Sequence, residues 1–287
     1  MFPSIFTDEL KKDFPQTPPI IKSWGLDHVD LRGLIYGKAF ENLTAEELAE
    51  VKRLLDEHGM QIGCLQSSLA KVHLPGEERQ RAEREKLEGV IRAADALGCR
   101  LVRAFFFWQP KEDEAGQLAV RPDMLQQVLT MFAPLAKRAK EAGLTTKSSL
   151  IVGLGETEQE MAARIQWAHD LGATVGLFAF TPVRGTHLAH LPPPPLPVYR
   201  RMQMARWLIV HGLARAQEMS FDTTGALVGY GVPLPGDGQA FRTSGCPDCN
   251  RPFYNEQPGG TLYNYPWPPS PAEAAQALTE MEVQEDV

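Results

Sequence analysis

The chain has 287 residues, 43% of them hydrophobic and 23% charged, with a formal net charge of -7. This acidic balance argues against a nucleic-acid or anionic-membrane surface as the main partner, and no apolar run approaches the roughly 20 residues of a membrane span. Four cysteines do not make a disulfide framework in so long a chain, and the N-terminus lacks the basic start and long apolar core of a signal peptide, so the cytoplasm is the expected location.

In chain order, Ser4-Ile-Phe-Thr7 reads as a short strand. Pro18 to Trp24 fits a helix with prolines in its first turn, stopped by Gly25. His28-Val-Asp-Leu-Arg32 alternates polar and apolar, the period of a strand. Thr44-Ala-Glu-Glu47 is a capping-box sequence; it opens a helix with Leu48, Val51, Leu54 and Leu55 on one face, ended by Gly59. Met60 to Leu65 is the next strand. Glu77 to Leu97 is a long helix with Leu87, Val90, Ile91 and Ala94 inward. Leu101-Val-Arg-Ala-Phe-Phe-Phe107 is strand-like throughout. Met124 to Ala142 is a fourth helix, with a kink or break expected at Pro134. Four βα units in a row predict parallel strands with right-handed crossovers and closure as a TIM-type barrel.

The composition changes at the middle. Residues 1–144 hold 20 of the 29 basic residues and 8 of the 23 prolines; residues 145–287 hold 9 and 15, with Lys147 as the one lysine. Leu150-Ile-Val152 is a buried-strand run, Gly153 and Gly155 allow a tight turn, and Glu156 opens a helix that ends at Leu171-Gly172. Thr174 to Phe180 is a strand. Pro192 to Pro197 is a stiff connector, followed by a helix from Val198 to Val210. Met219–Asp222 and Ala226–Gly229 are short strands or turns, and Pro271 to Met281 forms a terminal helix. The expected architecture is therefore an α/β barrel of six to eight strands assembled from two half-barrels. The expected segments are 1–144, 145–235 and an irregular tail, 236–287, rich in proline, glycine and aromatic residues. Tyr254, Tyr263, Tyr265, Trp267 and Phe253 in that tail suggest a lid, a pad for a partner, or a strap across the barrel bottom.

Phe6-Thr-Asp-Glu-Leu10, Trp24-Gly-Leu-Asp-His-Val-Asp-Leu-Arg32, Leu54-Leu-Asp-Glu-His-Gly59 and Ala96-Leu-Gly98 resemble the xylose-isomerase-like family of sugar-phosphate isomerases and epimerases. That resemblance, over residues 1–143, implies proton transfer between adjacent carbons on a divalent metal. The family's metal ligands come mainly from later strands, where this chain has Leu150-Ile-Val-Gly153. The polar groups at expected strand ends are Asp8, Glu9, Arg32, Gln66, Ser67, Ser68, Lys71, His73, Arg103 and Gln109. They read either as the lining of a sugar or phosphate pocket at a barrel mouth or as solvated loop residues. Cys64 and Cys99 read as small core residues.

In the second half, Ser149-x-Ile151-x-Gly153-x-x-Glu156 resembles the fifth-strand motif of radical S-adenosylmethionine proteins. Phe178-Ala-Phe-Thr-Pro182, Tyr199-Arg-Arg-Met-Gln203 and Cys246-Pro-Asp-Cys249 extend that likeness over residues 145–267 to the biotin-synthase-like group and its lipoyl synthase branch. The resemblance implies that Ser149, Ile151, Gly153 and Glu156 lie at an S-adenosylmethionine site. The C-x3-C-x2-C triplet that holds the radical iron–sulfur cluster is absent from the sequence, so reductive cleavage would need a protein partner carrying that cluster. Cys246 and Cys249 are spaced so that both thiolates reach one metal or an auxiliary iron–sulfur cluster; a redox dithiol or a reduced pair in a turn are the other readings.

Three functional expectations follow. The first is a radical-type protein without its own cluster, binding metal through Cys246 and Cys249. The second is a divalent-metal sugar-phosphate isomerase or epimerase with replaced ligands such as Glu156, His187 or Glu218. The third is a recombined chain with no selected activity.

Overall fold

The computed structural model describes residues 3–71, 77–105, 122–186, 188–245 and 259–283. The chain divides into two compact units that meet between Thr146 and Lys147.

The amino-terminal unit is built from βα repeats. Its strands are β1 (Ser4–Phe6), β2 (His28–Leu31), β3 (Gln61–Gln66) and β4 (Val102–Arg103), and its helices are α1 (Thr17–Ser23), α2 (Ala45–Glu57), α3 (Glu77–Leu97) and α4 (Pro122–Glu141). The strands form one parallel sheet in the order β1-β2-β3-β4. Strand alternation sends Val29 and Leu31 of β2 into the core with the helices and leaves His28 and Asp30 for the other face. Helix α2 starts on the capping box read from the sequence: the Glu47 N–H donates to Thr44 Oγ1 at 3.2 Å, and the Thr44 N–H donates to Glu47 Oε2 at 2.8 Å. Its buried face is Leu48, Val51, Leu54 and Leu55. In α3, Gly89 permits a close approach. A Cβ there would overlap the carbonyl oxygen of Glu41, in the short turn Phe40–Asn42 that packs on this helix.

Two expectations are corrected in this unit. The strand-like run 101–107 gives only the two residues of β4 among the described residues. Past Arg103 the chain is held by a loop rather than a ladder: Ser67 Oγ donates to the Arg103 carbonyl at 2.5 Å, and the Phe105 N–H donates to the Leu69 carbonyl at 2.8 Å. Helix α4 runs on through Pro134, which corrects the expected break and is compatible with the expected kink. Buried residues on both sides of the proline, Val128 and Leu129 before it and Leu135, Ala136 and Ala139 after it, hold the helix to the core.

The carboxy-terminal unit holds β5 (Thr146–Val152), α5 (Glu158–Asp170), β6 (Ala173–Ala179), α6 (Leu196–Val210), the antiparallel hairpin β7 (Ser220–Phe221) and β8 (Leu227–Gly229), and α7 (Pro271–Thr279). Helix α5 begins two residues later than the sequence suggests. Thr157 is its N-cap, with the Glu160 N–H donating to Thr157 Oγ1 at 3.1 Å, and Glu156 stays in the preceding turn.

Strands β5 and β6 form a sheet of two. On the edge of β6 away from β5, backbone groups are taken by side chains. Arg206 Nε donates to the Val175 carbonyl at 2.6 Å, the Leu177 N–H donates to Ser244 Oγ at 2.9 Å, and the Tyr199 hydroxyl donates to the Leu177 carbonyl at 3.1 Å. This qualifies the expected closure through six to eight strands. Among the described residues the strands form a sheet of four, a sheet of two and a hairpin, with isolated parallel bridges from Leu101 to Thr145 and from Arg242 to Tyr265.

The tail is part of this unit's core. Arg200 of α6 is 1% exposed, and its guanidinium donates to Glu280 Oε2 at 2.9 Å, Gln203 Oε1 at 3.0 Å and the carbonyls of Tyr263 at 2.8 Å and Leu262 at 2.9 Å. Gln203 Nε2 adds contacts to the Phe241 and Tyr263 carbonyls and to Asn264 Oδ1. Tyr263 and Tyr265 are buried here, which makes this stretch a packed strap and not a lid; Trp267 is exposed, while Phe253 and Tyr254 lie outside the described residues.

Candidate functional site

The polar face of the four-stranded sheet is the place in the described structure where strand-borne polar side chains converge. Parallel register sets Ser4 beside His28, Phe6 beside Asp30, Asp30 beside Cys64, and Gln66 beside Arg103. Asp30 is the centre of this row. Its Oδ1 accepts from Ser4 Oγ at 2.6 Å and its Oδ2 from Gln66 Nε2 at 2.9 Å. A carboxylate holding one donor on each oxygen is fixed in orientation and still has acceptor capacity left.

Burial, with Asp30 as the next contributor, pushes the neighbouring Cys64 thiol up to about 12. That thiol is neutral at ordinary pH and is no nucleophile. Burial also raises Cys99. Cys99 is a buried core residue, as read from the sequence, while Cys64 is only part-buried, in register with Asp30 on the polar face.

At the C-terminal end of β2, Arg32 gathers two acids. Its Nε donates to Asp8 Oδ1 at 2.8 Å and Oδ2 at 3.0 Å, Nη2 pairs with Glu9, and the guanidinium lies 4.0 Å from the centre of the Phe6 ring. The Asp8 hydrogen bond is the main cause of an Arg32 pKa above its usual value. Gly33 follows at φ +78°, and a side chain there would meet Asp8 Cβ at 2.7 Å, so the glycine admits this acidic turn. Ser67 is buried and spent on the loop, donating to the Arg103 carbonyl and accepting from the Leu69 N–H at 3.2 Å. Ser68, Lys71 and Arg103 are exposed. His73 and Gln109 lie outside the described residues.

The residues expected at an S-adenosylmethionine site fall differently. Ser149 and Ile151 share one face of β5 and are exposed, Ile151 by 44%. Gly153 turns at φ +103° against Pro194. Glu156 has both oxygens engaged by its own turn: the Gly153 N–H donates to Oε1 at 2.7 Å and the Leu154 N–H to Oε2 at 2.8 Å. It braces the backbone of its own turn. Glu218 does the same at a short turn, accepting from the Arg215 N–H at 2.6 Å. Cys246, Cys249 and His187 lie outside the described residues. Among the described residues no three His, Cys, Asp or Glu side chains converge as metal ligands. The divalent metal implied by the isomerase resemblance therefore has no fitting ligand set there.

Sequence reasoning missed Asp30 and Ser4. The signal was present: Val29 and Leu31 alternate with Asp30, which places it on the face opposite the helices. Its partners, 26 and 36 residues away, were not readable.

Residues 19–147 match the family model of the xylose isomerase-like TIM barrel. The matched stretch includes Asp30, Gln66 and the cationic residues Lys71 and Arg103. Solved structures with a similar fold include a D-psicose 3-epimerase of Clostridium cellulolyticum, at 12% identity, with 62% of this chain and 63% of that chain covered and a TM-score of 0.46. A xylose isomerase domain protein of Planctomyces limnophilus is 11% identical, with 61% and 62% covered and a TM-score of 0.40. A family 2 AP endonuclease of Brucella melitensis is 12% identical, with 62% and 67% covered and a TM-score of 0.41. The chain thus spans less than two thirds of the first two. No curated protein matches the chain in sequence. Among the described residues no helix is long and apolar enough to cross a membrane.

Proposed function

We propose that the chain binds a sugar on the polar face of β1–β4 and acts in the sugar isomerase or epimerase class. The observation that carries this reading is the fixed Asp30 carboxylate, held by Ser4 and Gln66 on the strand face. Sugars are recognised by acceptors and donors placed in a row with an aromatic or apolar neighbour. Asp30 accepts a sugar hydroxyl, Gln66 and Ser4 keep its orientation, and Phe6 lies beside it in register. The family match over residues 19–147 supports the class. No step is assigned to a metal, because the described residues offer it no ligand set.

Calorimetric titration with D-fructose, alongside ketose–aldose exchange followed by proton NMR in deuterated water with and without added manganese, tests the reading. Binding that Asp30→Asn weakens roughly tenfold, the worth of one hydrogen bond to a charged group, supports it. Absence of both binding and exchange overturns it and leaves the reading of a chain with no selected activity. The radical-type reading rests on sequence resemblance. Its own test is iron and acid-labile sulfide after anaerobic reconstitution, with Cys246→Ser as the control.

A further inference from the structure

The turn that follows β3 is held from behind by a buried acid. Glu83 stands on the inward face of α3, four residues before Leu87, where the apolar stripe of Leu87, Val90, Ile91 and Ala94 would continue, and it is 4% exposed. Its Oε2 accepts from the Ala70 N–H at 2.6 Å and its Oε1 from Lys86 Nζ at 2.8 Å. A carboxylate in such a stripe is costly unless its oxygens are engaged. Here a cation balances one oxygen, and the other is committed to a single backbone amide.

That amide belongs to a residue in an unfavourable conformation. Ala70 is fully buried at φ +58°, in the left-handed region where a Cβ is crowded. Left-handed non-glycine residues follow each of the first three strands: Lys11 after β1, Tyr36 after β2 and Ala70 after β3. Such conformations persist only where the surroundings impose them. At Ala70 the imposing contact is the charge-assisted hydrogen bond from α3.

The same turn carries Gln66, the last residue of β3. Ser67, next in the chain, donates to the Arg103 carbonyl and accepts from the Leu69 N–H, and the Leu69 carbonyl takes the Phe105 N–H. Strand β4 meets β3 only at Leu65–Val102 and Gln66–Arg103, so these turn contacts close the end of a very short ladder. Gln66 Nε2 in turn holds Asp30 Oδ2. A line of contacts that starts in the body of α3 therefore ends on the sugar-binding carboxylate.

We propose that Glu83 is a positioning residue for the Asp30 face: by fixing the turn after β3 it keeps Gln66 in place and Asp30 aimed. Glu83 itself touches no substrate. This inference rests on the sugar-binding reading of Asp30.

D-fructose titration and the Gln66 side-chain amide signal in nitrogen-edited proton NMR are read together on three variants, each checked for folding by thermal unfolding. Glu83→Leu removes the acceptor and keeps an inward apolar side chain; its D-fructose affinity is expected to fall about fivefold, with the Gln66 signal displaced. The loss stays below that of Asp30→Asn because Ser4 still holds Asp30 Oδ1. Glu83→Gln, whose amide oxygen still accepts from Ala70, is expected to keep most of the binding. Adding Ala70→Gly to Glu83→Leu should recover part of the loss, since glycine takes the left-handed turn without being held there. If Glu83→Leu binds D-fructose as the wild type does, with the Gln66 signal unmoved, the positioning role is overturned while the sugar-binding reading stands. If all three variants lose affinity alike, Glu83 is a packing residue only and the proposal is overturned. If the wild type binds no sugar, the sugar-binding reading falls, and the Gln66 signal alone decides: displaced in Glu83→Leu, it supports the link from Glu83 to Gln66; unmoved, it overturns it. Should Glu83→Leu not fold, hydrogen exchange at the wild-type Ala70 amide decides: exchange as slow as that of the β3 core supports the hold, and exchange as fast as that of a solvated loop overturns it.

Discussion

Replacing Arg200 by alanine should destabilise the carboxy-terminal unit by about 4 kcal/mol. The size follows from what is left behind. Two backbone carbonyls, those of Leu262 and Tyr263, lose their donor in a buried place, and Gln203 Oε1 loses another. Hydrogen bonds from a charged donor are worth roughly 1.5–3 kcal/mol each, part of which water recovers if the strap loosens. The guanidinium also lies 5.4 Å and 5.3 Å from the ring centres of Phe241 and Tyr265, contacts the variant forfeits. Glu280 contributes less, because its side chain is 21% exposed and can rehydrate. Glu280→Gln should therefore cost only about 1 kcal/mol, since an amide oxygen still accepts from Arg200. Urea unfolding followed by tryptophan fluorescence measures both, with Trp167, Trp207 and Trp267 all in this unit. Limited proteolysis should cut the strap first in Arg200→Ala. A loss below about 1 kcal/mol in Arg200→Ala, or equal losses in the two variants, would refute the view that this one side chain fastens the tail.

Two further outcomes follow from the fold. Gly89→Ala gains helix propensity of about 1 kcal/mol but drives a methyl into the Glu41 carbonyl, an overpacking that costs up to about 3 kcal/mol, so a net loss near 2 kcal/mol in urea is expected; a stabilised variant would mean the Phe40–Asn42 turn does not press on α3. Three helix-start carboxylates are held below their ordinary value near 4.5: Glu47 chiefly by Lys38, and Glu160 and Glu273 by the backbone amides of Thr157 and Ser270. A lowered folded value gives stability that is present above the unfolded value and lost as pH falls through the folded one. Melting temperature should therefore drop on acidification below pH about 4.5, and the triple Glu→Gln variant should show a shallower drop; an identical acid profile in the triple variant would remove these caps as the cause.

What the sequence disclosed was mostly local. The Thr44–Glu47 box and the Leu48, Val51, Leu54, Leu55 face depend on neighbours within a turn or two, and the structure repeats both. Pro134 also looked local, yet packing on either side carries α4 through it. The candidate site was half visible. Arg32, Gln66, Lys71 and Arg103 were singled out as strand-end polar groups, but Asp30, which Ser4 and Gln66 hold, was hidden inside an alternating strand. Glu156 shows the limit of a motif read from sequence. A glycine-rich turn ending in an acid looks the same in sequence whether the acid awaits a ligand or satisfies the turn's own N–H groups, and here it satisfies them. The run Tyr199–Gln203 carried a family likeness, while its partners lie 22 to 80 residues further along or back, beyond any periodicity.

The side chains on the outer edge of β6 have a consequence for how molecules of this protein meet. A row of free peptide groups on a strand invites another copy to add its own strand. Here Tyr199, Arg206 and Ser244 stand as plugs in that row. Tyr199 and Ser244 are themselves buried, so the row is closed from within the unit's core and is bared only when that core opens. Strand addition at this edge is thus tied to opening of the unit's core and not to side-chain motion at its surface.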